Sequence, residues 1–295
     1  MPEKQITEKQ HYVPQVYLQS FSQDGINIYE YNFKKAAPIP TPVPIESVCR
    51  EKFLYEQRDE NGALADANYL EDILCGHEGR FAEFRRQLLR KVRKDNFETR
   101  SFLSKEEKDF WSFYATLQMM RNPFTISSMK EEIEASYPDE RSTNWPSNFA
   151  LELCLPFFQN MAKEKQQIFS WIQSDLNDMV ITVGFAERGN LLTSDRAMYG
   201  SHDPEQSIDT RSLWFPLTPE CGILFYPSDL IERSQRNRLV PLTDDWIRKL
   251  NDGIAYIASQ MVLSKFPFRE EELALIKEAR SQRNLDDQRK RGAKS

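Results

Sequence analysis

Apolar and polar positions divide the chain into blocks of different period. Ile26 to Tyr31 alternates apolar and polar, the two-residue period of a half-buried strand, and follows the turn signal Ser22-Gln23-Asp24-Gly25. Pro38, Pro40, Pro42 and Pro44 then occupy alternate positions. A proline has no amide proton and a fixed φ, so this stretch predicts an extended connector, neither helix nor central strand. Phe53-Leu54-Tyr55 predicts a second short strand. From about Asp66 to Lys94 the apolar residues Leu70, Ile73, Leu74, Phe81, Phe84, Leu88 and Val92 fall at helical spacing. Gly76 and Gly79 interrupt that face, which predicts a kink or a close helix–helix approach.

A second helix has a written start. Ser104 is an N-cap with Glu107 at the capping-box position, and the helix runs to about Arg121, where Asn122-Pro123 ends or kinks it. Phe124 to Ser136 and Trp145 to Leu176 predict further helix, broken near Pro156. The period then changes. Met179 to Phe185 is β-branched and apolar, a buried strand, and Glu187 to Asn190 reads as a hairpin turn into Leu191-Leu192-Thr193. Leu213 to Leu217 and Ile223 to Tyr226 predict two strands around Pro219-Glu220. Asp244 to Ser264 predicts the last core helix, and the charged run from Arg269 a solvated helix that frays.

Strands, then helices, then strands is the order of an α+β fold, not of alternating βαβ units. The expected architecture is a helical middle packed on a small antiparallel sheet built from N-terminal and C-terminal strands. Residues 1–268 form a single domain in this reading, and 269–295 a charged C-terminal helix or tail.

Composition narrows the chemistry. With 295 residues the chain can bury a large core without a disulfide or metal. Its four cysteines, Cys49, Cys75, Cys154 and Cys221, are widely spaced, which predicts reduced thiols, a cytoplasmic protein and no zinc-ribbon site. No apolar stretch approaches the roughly 20 residues of a membrane span, so no membrane partner is expected. There is no G-x-G-x-x-G, P-loop, G-x-S-x-G or H-E-x-x-H pattern. The net charge of −6 argues against a whole-surface footprint for nucleic acid but leaves room for a local basic groove.

The opening Lys9-Gln10-His11-Tyr12-Val13-Pro14-Gln15-Val16-Tyr17-Leu18-Gln19-Ser20-Phe21 resembles the signature of a large bacterial family, domain of unknown function 4238, whose members begin K-x-H-Y-V-P-x-x-Y-L-x-x-F. The likeness continues through Leu117 to Pro123, Leu192-Thr193-Ser194-Asp195, Phe215 to Pro219, and Leu250-Asn251 with Ala255-Tyr256. Where the family reads T-S-D-N-P, this chain has Thr193-Ser194-Asp195-Arg196-Ala197. The resemblance implies a coherent fold and candidate positions, not a reaction.

Those positions, weighed as side-chain chemistry, define the expected site. His11 has an imidazole suited to general acid or base work. Arg121 and Gln118, three apart, share a helix face and could fork an anionic group. Asp195, after Ser194, follows a strand, where a rigid element aims a carboxylate. Glu71 and Glu78 share a face and could pair with Arg121, or join Asp195 around a divalent cation such as Mg²⁺ or Mn²⁺. The reading is a phosphoester or nucleic-acid hydrolase of toxin or phage-defence type. His11, Asp195 and Glu78 are its catalytic groups, and Arg121, Gln118 and Ser194 hold a nucleic acid or nucleotide. The alternative is a non-catalytic binding or sensing module in which the same residues form a buried structural network. Burial decides between them: a shared open pocket favours the enzyme, full mutual pairing the module.

Overall fold

A computed structural model of the chain describes residues 6–56, 68–127, 179–200, 212–227 and 236–292. The helix expected at 124–136 is described as far as 127, where it is helical, and the one expected at 145–176 lies outside the described residues.

The fold is α+β. Its helical part begins with α1 (Gln15–Leu18), which passes into a 3-10 turn at Gln19–Phe21. The long α2 (Tyr69–Val92) is unbroken at Gly76 and Gly79. Among the described residues a Cβ at either glycine would meet nothing within 4 Å, so no described helix approaches there, and the predicted kink is absent. Helix α3 (Lys105–Met120) starts on the predicted capping box: the Glu107 amide donates to Ser104 Oγ, and the Ser104 amide to Glu107 Oε2. Lys91 reinforces that corner by pairing with Glu107 at 2.6 Å. Helices α2 and α3 lock through stacked rings, Phe84 on Phe110 at 3.9 Å and Phe81 on Tyr114 at 4.5 Å. Stacked pairs of this kind add roughly 0.5–1.5 kcal/mol beyond simple burial.

Among the described residues the strands form three sheets rather than one. A ribbon pairs β1 (Lys9–His11) with β5 (Arg50–Lys52), antiparallel, His11 opposite Arg50. The second sheet is centred on β2 (Asn27–Asn32). The proline-bearing β3 (Ala37–Pro38) and β4 (Val43–Pro44) lie on β2, outside the centre as their missing amide donors require. The other edge of β2 pairs with β12 (Met261–Ser264), which pairs in turn with β7 (Thr193–Ser194). N-terminal and C-terminal strands therefore do join. The third sheet runs β11–β6–β10–β9–β8. It contains β6 (Val180–Phe185), β8 (Tyr199–Gly200), β9 (Leu213–Pro216), β10 (Cys221–Tyr226) and β11 (Leu239–Pro241). The β6–β11 pair is parallel, so this sheet is mixed.

Three local expectations are corrected. Phe53 to Tyr55 is a turn after β5, with Phe53 at φ 53°. Strand β7 does not form a hairpin with β6, because the amide of Leu192 bonds Asn251 on the following helix and β7 pairs with β12. That helix, α4 (Asp244–Ile257), stops seven residues before Ser264. Beyond it Ala258 turns extended and the chain becomes strand β12. The charged α5 (Glu270–Gly292) follows and buries Ile276 and Ala279 in the same apolar cluster as Ile254 and Ala255 of α4. Among the described residues no helix is long and apolar enough to cross a membrane.

Candidate functional site

Arg121 closes α3 as its C-cap and is 1% exposed. A buried guanidinium needs partners, and it has them on three sides. Nη1 pairs with Glu78 at 2.9 Å, Nη2 donates to the His11 carbonyl at 2.6 Å, and Nε donates to the Tyr55 hydroxyl at 3.3 Å. That hydroxyl donates back to the Arg121 carbonyl at 2.9 Å. One side chain thus ties the β1–β5 region, α2 and α3 together, and Arg121 is committed to the protein rather than free for an anion.

His11 belongs to the same knot through its backbone. Its ring Nδ1 lies 3.3 Å from Gln15 Nε2, and its Nε2 is buried. Burial and then the charge of Arg50, with Arg121 behind, hold the imidazole down at about 4, against the pull of the Glu46 carbonyl. It is neutral at pH 7. Gln118 is buried beside the knot, its side chain next to the Tyr114 hydroxyl. Glu71 has one buried, unpartnered carboxylate oxygen. Burial pushes its carboxyl up to about 7; Arg121 opposes that and Glu78 adds to it.

Asp195 sits elsewhere, 2% exposed. Its Oδ1 accepts the amide of Ser259 at 2.9 Å and its Oδ2 the amide of Gln260 at 2.7 Å. Its carbonyl accepts from the Asn122 side chain at 3.0 Å. Burial lifts the carboxyl to about 6, and the two amides restrain the rise. Ser194 is spent locally: its Oγ donates to the Arg196 carbonyl at 2.8 Å and accepts the Arg196 amide.

The structure therefore brings His11, Glu78, Gln118 and Arg121 together and places Asp195 and Ser194 apart from them. What it builds around Asp195 is a cavity of about 350 Å³, lined among others by Tyr12, Glu51, Asn122, Phe124 and Ser259. The hydroxyl of Tyr12 meets the thiol of Cys49; burial, then the charges of Cys49 and Asp195, push that hydroxyl well above the usual tyrosine value. Burial also raises Glu51. The Ser259 hydroxyl is buried and unpartnered. Asn122 caps the helical turn at 123–127 by accepting the Phe124 amide at 3.0 Å, which aims its amide nitrogen at residue 195.

Tyr12 and Asn122 are the residues that sequence reasoning passed over, each next to one it selected. Their only signal was adjacency, Tyr12 directly after His11 and Asn122 directly after Arg121. Nothing local could have marked Ser259 and Gln260, which reach the cavity only through the turn between α4 and β12.

A larger cavity, about 560 Å³, lies between α4 and α5. Its lining charges include Arg269, already paired with Glu271 and Glu272, and none of the expected site residues lines it. Among the described residues no group of three or more His, Cys, Asp or Glu side chains is arranged to hold a metal ion. Glu71, Glu78 and Asp195 do not form one.

No curated protein and no solved structure matches the chain significantly. A family model does match, described as Protein of unknown function (DUF4238) and covering residues 9–266. That span takes in the opening signature, α2 and α3, the strands and α4 through β12, and on it the chain belongs to the DUF4238 family.

Proposed function

We propose that the chain is a hydrolase whose active site is the cavity walled by Tyr12, Asn122 and Asp195. One observation carries the reading. Three stretches far apart in sequence, around residues 12, 122 and 195, each deliver a polar side chain to one space. Buried polar groups that converge on a cavity, with a carboxyl shifted towards neutrality, are the usual setting of acid–base chemistry. Asp195, lifted to about 6, is ionised at pH 7 yet basic enough to take a proton. In the step proposed, the oxygen of a water molecule bonds to the electrophilic centre and its proton passes to the Asp195 carboxylate. The bond to the leaving oxygen then breaks, and the same proton goes to that oxygen.

Phosphoesters are the bond class favoured by the guanidinium of Arg196, which lies 4.4 Å over the ring of Phe124 on the cavity wall. Nucleic acids and nucleotides are the phosphoesters to test first, and a toxin or phage-defence setting would suit such an activity. The test is turnover of bis(4-nitrophenyl) phosphate, single-stranded DNA and RNA, with and without Mg²⁺ or Mn²⁺, by wild type and Asp195→Asn of verified fold. Hydrolysis by wild type and loss of it in the variant is the expected result. No turnover of any substrate by wild type would sink the proposal.

The non-catalytic module is the second reading, favoured by the closure of Arg121 and by the two amides already on Asp195. It predicts that variants at both places lose stability and that no variant differs in turnover.

A further inference from the structure

Two guanidinium groups meet beside residues that wall the Asp195 cavity, Arg196 at Phe124 and Arg283 at the Ala258 carbonyl next to Ser259. Arg196 leaves the wall immediately after Asp195 and stacks over Phe124, itself 47% exposed. Its Nη1 reaches the Ile257 carbonyl at 3.5 Å, the outer limit of a hydrogen bond. Arg283, from α5, donates to that same carbonyl at 2.8 Å. It also donates to the carbonyls of Tyr256, at 3.2 Å, and Ala258. Two donors on one acceptor stand only roughly 4–6 Å apart, so the two cations repel.

Among the described residues Arg196 has no ion pair, and the one Arg283 has is with Asp287 at 3.9 Å, on its own helix. Burial, and after it the charge of Arg283, hold the Arg196 guanidinium below its usual value, against the weaker attraction of the Asp195 carboxylate.

A structural role accounts for only one of the two. The last carbonyls of α4 want a cation to complement the helix dipole. Arg283 fills that place from one nitrogen, Nη1, whose two hydrogens are shared among three carbonyls in the last turn and just beyond it. Arg196 adds one long bond to an acceptor already taken, and among the described residues most of its five N–H donors have no assigned acceptor. A guanidinium with spare donors in a fixed fork, beside a second cation and at the mouth of a cavity, is the arrangement that recognises phosphate.

We propose that Arg196 binds an ionised phosphate of the substrate at the rim of the Asp195 cavity, with Arg283 as a fixed second charge behind it. The inference rests on the reading of that cavity as a hydrolytic site and names its substrate class: an ester whose phosphate sits between the Arg196 fork and the Asp195 carboxylate. Arg196 thereby sets specificity, and Arg283 is a positioning residue.

The experiment is calorimetric titration of wild type, Arg196→Gln and Arg196→Lys with inorganic phosphate, and in a separate arm with adenosine 5′-monophosphate. Sodium chloride at matched ionic strength is the control. A lost charge-assisted fork should weaken phosphate binding by about tenfold or more. Lysine should recover part of it, since it keeps the charge without the fork. Tighter binding of the nucleotide than of phosphate, with the same dependence on Arg196, would identify the ester as a nucleotide rather than phosphate alone. Equal binding by wild type and Arg196→Gln would overturn the proposal. So would thermal stabilisation of wild type by phosphate no greater than by chloride, which decides the matter if Arg196→Gln does not fold. Binding is read without turnover, so the two readings fail separately. Phosphate binding with no hydrolysis retires the hydrolase and keeps the site. Hydrolysis with an unchanged KM in Arg196→Gln retires the site and keeps the hydrolase.

Discussion

Arg121 and Asp195 are both buried charges, and they are closed in different ways. Arg121 is surrounded by groups from three other parts of the chain, a carboxylate, a carbonyl and a hydroxyl, each taking one direction of its fork. Asp195 is held by two backbone amides and faces a cavity. The first arrangement leaves no room for a ligand and is the structural knot the binding-module reading describes. The second fixes a carboxylate while leaving lone pairs for something else. Burial alone does not separate a structural charge from a chemical one; what decides is whether the remaining valences are filled.

The sharpest way to break that contrast is to remove the knot. Arg121→Met strands the Glu78 carboxylate, the His11 carbonyl and the Tyr55 hydroxyl together. Breaking a buried pair from one side costs about 3–5 kcal/mol, and Glu78, with 21% of its side chain exposed, places the expectation near the lower end. Urea denaturation measures it. A loss below about 1 kcal/mol would mean that the knot contributes little and that Arg121 is available after all.

Asp195→Ala comes next. It leaves two amides without their acceptor, a loss of about 1–3 kcal/mol, and hydrogen exchange should place the loosening at 258–264, where those amides lead into β12. Loosening spread evenly over α2 and α3 would contradict the separation of the two regions. A finer pair is Tyr55→Phe against Tyr12→Phe. The first removes a hydroxyl bonded twice to Arg121 and should lower stability by about 1 kcal/mol with turnover intact. The second should change turnover at about half that effect on stability or less. The reverse ranking would exchange the roles assigned to the knot and the cavity.

The two regions also differ in how far the sequence announced them. The capping box of α3, its end at Arg121 and the β9–β10 pair are local features, written in neighbouring residues, and they were legible. The pairing of Arg121 with Glu78 was legible as an option, because charge on an apolar face must find a partner. The end of α4 was not. Residues 254–263 contain no glycine or proline, and their apolar spacing suits a helix. The stop is the Asp195 carboxylate, which takes the amides of Ser259 and Gln260 from 64 and 65 positions away in the chain. Reading β12 as helix therefore hid both the strand that joins the sheet and one wall of the cavity. A signal that lies in another part of the chain cannot be read from a window of neighbours.

Glu71 gives the smallest effect and tests whether the knot is electrostatically closed. Its carboxyl stands at about 7 in the fold, chiefly through burial, against 4.5 as its ordinary value. The folded state therefore holds this proton more tightly than the unfolded chain. Its contribution favours the fold fully below about pH 4.5 and is lost as pH rises towards 7. Glu71→Gln keeps the shape of the protonated acid and cannot ionise. At pH 5 it should melt within a degree or so of wild type; at pH 8 it should melt higher by a few degrees, the scale of a change of about 1 kcal/mol in a chain of this size. A melting difference that stays flat from pH 5 to pH 8 would place Glu71 in water or in direct contact with Arg121. In the second case the fork would have a fourth internal partner, and the knot would be more completely filled than its three bonds describe.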